Sequence, residues 1–243
     1  MTYCVGVMID AGVVLASDSR TNAGVDNIST FRKMKIFEQP GNRVITLVNS
    51  GNLAVTQATL NQLEQANRRT DGTPSIMNVG SMWEVAELIG QALREVRDHD
   101  GPHLMQNNVD ASANFIIGGQ IAGEPPRLFM VYTEGNFIEA TPETPYFQIG
   151  ETKYGKPIID RVVTPQTSLD EVIKCVLVSF DSTMRSNLSV GLPIDLVMYR
   201  RDSLRVGFTR RFDEEDQYMQ TLRQKWGEGV RRAFTELPNL EWY

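Results

Sequence analysis

Thr2 stands directly behind Met1. Removal of that methionine leaves one residue carrying both a hydroxyl and a free α-amine, so that a nucleophile and its base share an amino acid. An α-amine titrates at about 7.7 to 8.0. A fair fraction is therefore neutral near pH 7 and able to take the hydroxyl proton, directly or through one water. The chemistry open to such a pair is acyl transfer on a threonine oxygen. A small residue after Met1 is commonplace and indicates nothing alone, so the case depends on what the fold places beside it. Asp18 and Lys33 are charged groups downstream that are able to tune the hydroxyl and the amine.

Other chemistries lack residues. His99 and His103 are the only histidines, both in a Gly/Pro segment without partners for a triad or a zinc site. Cys4 and Cys175 lie far apart with no CxxC, and both fall in apolar runs, which reads as buried thiols in a reducing compartment. There is no GxGxxG and no phosphate loop; Gly118-Gly119 reads as a strand kink.

The positioning elements follow from periodicity. Residues 2–9 and 13–18 are β-branched runs around Asp10-Ala11-Gly12, which reads as a hairpin. With its turn near residue 11, residues whose numbers add to about 21 face each other, which sets Asp18 close to Tyr3 and Thr2. A nucleophile at a strand end is held more rigidly than one on a loose terminus. Residues 19–32, with Gly24 and Asn27, read as a loop, and strands are expected at 33–38 and 43–48 around Gln39-Pro40-Gly41-Asn42. Asn49-Ser50-Gly51-Asn52 then leads into a helical pattern over 53–69, a strand-to-helix turn suited to presenting backbone N–H groups.

A second helix is expected over 82–97 and a loop over 98–112. Strands follow at 113–121, 127–133 and 136–140, then a Pro-punctuated stretch, helices at 152–161 and 168–185, strands at 194–200 and 204–209, and a last amphipathic helix over 213–233. Strands and helices clustered in separate blocks predict an α+β domain of antiparallel sheets with helices packed outside.

Composition sets the outer limits. The 243 residues, 41% hydrophobic and 22% charged, suit one soluble globular domain spanning 1–243, with no visible linker. A net charge of −6 argues against nucleic acid or an anionic membrane as partner. The arginine pairs at 200–201, 210–211 and 231–232 read as solvated faces or subunit contacts. The start has no basic segment and Asp10 interrupts its apolar run, so it is not a signal peptide, and no apolar run is long enough to span a membrane. A cytoplasmic location is expected.

Thr2, the run Val13-Val14-Leu15-Ala16-Ser17-Asp18-Ser19-Arg20-Thr21 and the run Arg32-Lys33-Met34-Lys35-Ile36 resemble the start of a proteasome β-type subunit of the N-terminal-nucleophile hydrolases. Together with Gly150-Glu151-Thr152-Lys153-Tyr154-Gly155-Lys156-Pro157, they make the chain similar to the bacterial proteasome-like family called Anbu. The resemblance covers essentially residues 2–210, leaving a C-terminal helix and tail from about 211 as an addition.

The resemblance implies a four-layer αββα sandwich, amide hydrolysis through an acyl-enzyme on Thr2, and a peptide or protein substrate. It implies a homo-oligomer, as a ring or an open helical stack. Lys33 is then the lysine beside the threonine hydroxyl, with Asp18 as its carboxylate. Its spacing from Thr2 is one residue short of the usual pattern, so Lys35 competes; Lys33 is preferred because it follows the arginine, and Lys35 then becomes a surface residue. Gly51 takes the place of the oxyanion-hole glycine, and Thr21, Phe31, Asn49 and Leu53 the walls of a mixed specificity pocket. Ser189 matches the family serine, but Ser186 stands where an aspartate is expected and Glu151 where a second serine is, so the amine-positioning network is altered. That alteration keeps two alternatives open: a non-proteolytic amidohydrolase acting on a special peptide, and an assembly subunit with a dormant site.

Overall fold

The structure, a computed structural model, describes residues 2–22 and 28–242. Met1, Gly24 and Asn27 lie outside the described residues. Strands β1 (Tyr3–Ile9) and β2 (Gly12–Asp18) form the expected hairpin, followed by a short hairpin β3 (Arg20–Asn22) and β4 (Ile28–Thr30). Next come β5 (Met34–Gln39), β6 (Arg43–Gly51), and helices α1 (Leu53–Arg68) and α2 (Met82–Gln106). The second half runs β7 (Ala113–Ile121), β8 (Arg127–Val131), β9 (Phe137–Glu139), β10 (Tyr146–Gly150), α3 (Lys156–Val162), α4 (Leu169–Ser186), β11 (Ile194–Arg200), β12 (Phe208–Phe212) and α5 (Gln217–Thr235).

Two antiparallel five-stranded sheets result, one ordered β10-β1-β2-β11-β12 and the other β5-β6-β7-β8-β9. Three apolar layers hold them. Cys4, Val13, Leu15, Val48, Ile116 and Leu128 fill the space between the sheets. Ile45, Leu47 and Phe115 pack against Val55 of α1 and Ile89 and Leu93 of α2. Val5, Val14 and Leu196 pack against Val172, Val176 and Phe180 of α4. The order is helices, sheet, sheet, helices: the four-layer αββα sandwich. Burial on both faces explains why β1 and β2 read as nearly continuous apolar runs rather than alternating ones. Among the described residues no helix is long and apolar enough to cross a membrane.

Four expectations need correction. Segment 98–112 is not wholly a loop, because α2 continues to Gln106 through Gly101 and Pro102. Gly101 is buried and Leu104 packs on the core beneath α2, while Asp98, whose carbonyl loses its partner to Pro102, faces solvent. Residues 20–22 and 28–30 pair as strands within the expected loop. The last strand begins at Phe208 instead of 204. Residues 201–207 are held as a turn by left-handed backbone at Asp202 and Leu204 and by bonds from Gln120 Nε2 to Asp202 (2.7 Å) and from Val206 N to Glu38 (2.8 Å). The Pro-punctuated stretch hides a strand, β10, which pairs with β1 along its whole length.

Tyr3 anchors the strand that starts beside Thr2. Its ring is fully buried, 4.5 Å from the Phe180 ring, and its hydroxyl meets Ser179 Oγ (2.9 Å) and Gln148 Nε2 (2.7 Å). Burial pushes its phenol well above the ordinary tyrosine range, so it stays a neutral bridge between β1, β10 and α4. Tyr3→Phe keeps the ring but leaves Gln148 short of an acceptor, a loss of about 1–2 kcal/mol. The expected fall in melting temperature is about 2–8 °C, measurable by calorimetry; an unchanged transition would mean that the hydroxyl network contributes nothing.

Candidate active site

The site is built where the start of β1, the end of β2 and the end of β10 meet. The β1–β2 register pairs Cys4 with Ser17, so Asp18 is opposite Tyr3 and its carboxyl turns back on the strand start. Asp18 Oδ1 accepts from Tyr3 N (3.1 Å) and from Lys33 Nζ (2.7 Å), and Oδ2 accepts from Gly191 N (3.4 Å). On its other side Asp18 pairs with Ile194 of β11, and it is completely buried. Burial raises its pKa above the usual carboxylate range; the Lys33 ammonium and the N–H groups of Tyr3 and Gly191 pull it back.

Lys33 is 4% exposed and donates to Asp18 and to the Arg20 carbonyl at 2.5 Å. Its own backbone carbonyl accepts from Asn49 N (3.1 Å) and Asn49 Nδ2 (2.9 Å), which clamps the lysine to β6. Lys35 instead reaches Glu64 of α1 at 2.5 Å and is 43% exposed in its side chain, so it belongs to the outer face. Of the two lysines, Lys33 is the one paired with Asp18.

Thr2 is half-buried, and its carbonyl accepts from Glu151 N at 2.7 Å. Gly150 makes this approach possible. It adopts φ +85°, and a Cβ there would lie 1.9 Å from the Thr2 oxygen. Beyond it a second chain of bonds runs from Glu151, whose Oε2 accepts from Asn187 Nδ2 (2.9 Å), to Asn187 Oδ1, which accepts from Ser189 N (2.9 Å). Ser189 is thus tied to the Thr2 region through Asn187 and Glu151. Ser186, the last residue of α4, is exposed.

Gly51 ends β6 with φ +112°, packed so closely on Ser112 that a Cβ would sit 2.2 Å from its carbonyl oxygen. Asn52 caps α1 by accepting from Ala54 N (3.0 Å) and Val55 N (3.3 Å). Two of the helix's first N–H groups are therefore spent, while Gly51 itself is exposed. Of the proposed pocket walls, Phe31 is 38% exposed, Thr21 and Leu53 are half-buried, and Asn49 is buried with its amide committed to Lys33. Thr21 Oγ1 is buried with no hydrogen-bond partner among the described residues.

Sequence reasoning missed the roles of Asn187 and Glu151. The Thr2–Glu151 pairing depends on β10, which carries no clear strand pattern between its prolines. Among the described residues, no group of three or more His, Cys, Asp or Glu gathers in a metal-binding arrangement.

A strand-opening threonine, a buried Asp–Lys pair at its neighbour's amide and two stacked antiparallel sheets between helices define the proteasome β-type fold of the N-terminal-nucleophile hydrolases. Comparison with solved structures narrows this further. The chain is 48% identical to Anbu (ancestral beta-subunit) from Yersinia bercovieri, with 99% of each chain covered and a TM-score of 0.93. It is 47% identical to the chain of the helical assembly of the Anbu complex from Pseudomonas aeruginosa, with 99% of this chain and 98% of that one covered and a TM-score of 0.94. It is 46% identical to an Anbu (Gly-1) mutant from Hyphomicrobium sp. strain MC1, with 99% and 100% covered and a TM-score of 0.91. The chain belongs to the Anbu family of proteasome-like β-subunits. No protein-family model and no curated protein matches it.

The Asp18–Lys33 pair yields a test. Lys33→Met strands a buried carboxylate and should cost about 3–5 kcal/mol near pH 7. In the variant the folded pKa of Asp18 lies still further above its unfolded value of about 3.9. The folded state then binds the extra proton between those two values, so the deficit against the unsubstituted chain is smallest below the unfolded pKa and grows as pH rises through the raised folded one. Denaturant titrations across pH 3 to 8 check this; a pH-independent deficit would contradict a buried charge at Asp18.

Proposed function

We propose that the chain is a threonine-type hydrolase cleaving peptide or amide bonds through an acyl-enzyme on Thr2, once Met1 is removed. The observation that carries this reading is the buried Asp18–Lys33 pair, held at 2.7 Å and bonded through the same Asp18 oxygen to the amide that follows Thr2. A buried ion pair adds little net stability, and its bond to the amide that follows Thr2 supports a role in catalysis at that residue.

Thr2 Oγ1 attacks the substrate carbonyl while its proton passes to the Thr2 α-amine, and the oxygen of the tetrahedral intermediate takes a hydrogen bond from Gly51 N–H. The resulting α-ammonium protonates the departing amine, leaving an ester on Thr2. Water then attacks that ester, giving its proton to the α-amine, and the product acid leaves as the hydroxyl is restored. Lys33, oriented by Asp18, favours the ionised oxygen. Ser189 acts with Asn187 in the surrounding network, and Thr21, Phe31, Asn49 and Leu53 shape the substrate's seat. No metal or organic cofactor enters these steps.

The chain works as a single domain in a homo-oligomer, in the cytoplasm, without nucleic-acid or membrane partners. The Pseudomonas relative's helical assembly supports self-association. So do the apolar side chains of Trp226, Val230 and Phe234, spaced four apart on α5 and left open to solvent. The free buried thiols of Cys4 and Cys175 support a reducing compartment. Glu151 and Ser186, in place of a serine and an aspartate, weigh against general proteolysis and favour the competing reading, an assembly subunit with a dormant site; a non-proteolytic amidohydrolase acting on a special peptide shares the same residues.

Intact mass establishes whether Thr2 is the first residue. A small threonine-directed electrophile should then label mature Thr2 whether or not standard peptides are cut. Thr2→Ala should abolish labelling and lower any amidase activity by at least about a thousandfold. Chain retaining Met1, whose Thr2 nitrogen is an amide, should be inert. Absence of labelling on confirmed mature Thr2 would favour the dormant subunit.

A further inference from the structure

β1 and β10 are antiparallel, and their register pairs Tyr3 with Gly150 and Cys4 with Ile149. The bond from Glu151 N to the Thr2 carbonyl extends that ladder by one step and sets Glu151 directly opposite Thr2. Opposed residues in such a ladder are near neighbours, about 4.5–5.5 Å apart at Cβ. Glu151 is only 8% exposed, yet no lysine, arginine or histidine among the described residues lies within ion-pair distance of it. Its carboxylate accepts from Asn187 Nδ2 at 2.9 Å and, weakly, from Lys153 N at 3.4 Å. A buried carboxylate with two neutral donors retains unused acceptor capacity and lacks a counter-charge.

The geometry points to Glu151 as the counter-charge and positioning residue of the Thr2 α-amine. The inference rests on the reading that mature Thr2 is the N-terminal residue, because the cation concerned exists only after Met1 is lost. The other charged groups around the strand start do not supply this partner. Asp18 and Lys33 neutralise each other, Arg20 donates to the Leu188 carbonyl at 2.9 Å and lies against Gly191, and the side chain of Lys153 is exposed. Glu151 therefore leaves one uncompensated negative charge beside the new terminus, which favours the ammonium form. Asn187 fixes one carboxylate oxygen from the far side. Through Ser189 N, the same side chain ties the carboxylate to the turn that leads into β11.

The test uses full-length protein released with Thr2 as its first residue from a cleavable N-terminal fusion and checked by mass. The α-amine is titrated by the pH dependence of its acylation with acetic anhydride, read by mass spectrometry of the N-terminal peptide. The native α-amine should titrate about one pH unit above the ordinary 7.7–8.0 and return to that range in urea. Glu151→Gln should lower the native value by about that unit, and Glu151→Asp should fall between the two. Where amidase activity is measurable, the acid limb of its pH profile should move to lower pH in Glu151→Gln by the same amount. A native α-amine at or below the ordinary range overturns the proposal whatever the variants do. So does a folded Glu151→Gln whose titration overlays the unsubstituted protein. Acylation of the amine needs no hydrolase activity, whereas electrophile labelling of the hydroxyl tests the hydrolase reading, so each can fail without the other.

Discussion

The structure depends most on the need to keep a buried carboxylate ionised. Removing an unpaired carboxylate from water costs far more than a domain's net stability, so Asp18 is tolerated only because three donors converge on it. They come from three places in the chain: the amide at the start of β1, the ammonium just before β5 and the amide of Gly191 before β11. The first belongs to the sheet holding Asp18, the second introduces the opposite sheet, and the third lies in the turn that leads back into the first sheet. Misplacing any of them exposes Asp18 to the desolvation cost. The same requirement fixes the amide that follows Thr2.

Catalysis on a terminal residue faces a conflict, because the first residues of a chain fray while a nucleophile must be still. Here the conflict is resolved within one peptide unit. Tyr3 is wholly buried under α4 and Thr2 is half-open, and the carbonyl of Thr2 is held from the β10 side while the amide of Tyr3 is held from the β2 side. The backbone is bonded on both flanks, which on the proposed reading leaves the amine and hydroxyl of Thr2 for chemistry. Gly150 permits the close approach on one flank, which no residue with a Cβ would allow.

What could be read in the sequence follows this division. The β1–β2 hairpin is local, with a tripeptide turn, so its register and the position of Asp18 opposite Tyr3 come from counting alone. Lys33 and Lys35 are not separable on pattern, since strand alternation sets residues two apart on one face; in the structure Lys33 precedes β5 and turns to Asp18, while Glu64 on α1 draws Lys35 outward. The β10 side was opaque for a different reason. Its strand is a short edge between prolines, with alternation too brief to register. Glu151 therefore stood out only as a mismatch to a family pattern. The extension of α2 through Pro102 was hidden likewise, because burial of Gly101 and Leu104 against the sheet outweighs a local helix breaker.

If Thr2 is the terminal nucleophile, as proposed, a carboxylate opposite it, where a serine would be neutral, changes what its amine is suited to do. Stabilising the ammonium makes the amine a stronger base when it is free but leaves less of it free at neutral pH, and general-base catalysis is greatest when the two factors balance near the operating pH. In the proposed mechanism Lys33 works on the hydroxyl instead, favouring the oxyanion without drawing a proton from the amine. On that reading the two flanks of Thr2 act on different atoms, with the β2 flank tuning the nucleophile and the β10 flank tuning its base. Departures from the proteasome pattern at 151 and 186 fall wholly on the second flank. The Asp18–Lys33 flank keeps the family pattern and the Glu151 flank departs from it, so under the proposed mechanism the change falls on the amine and not on the hydroxyl.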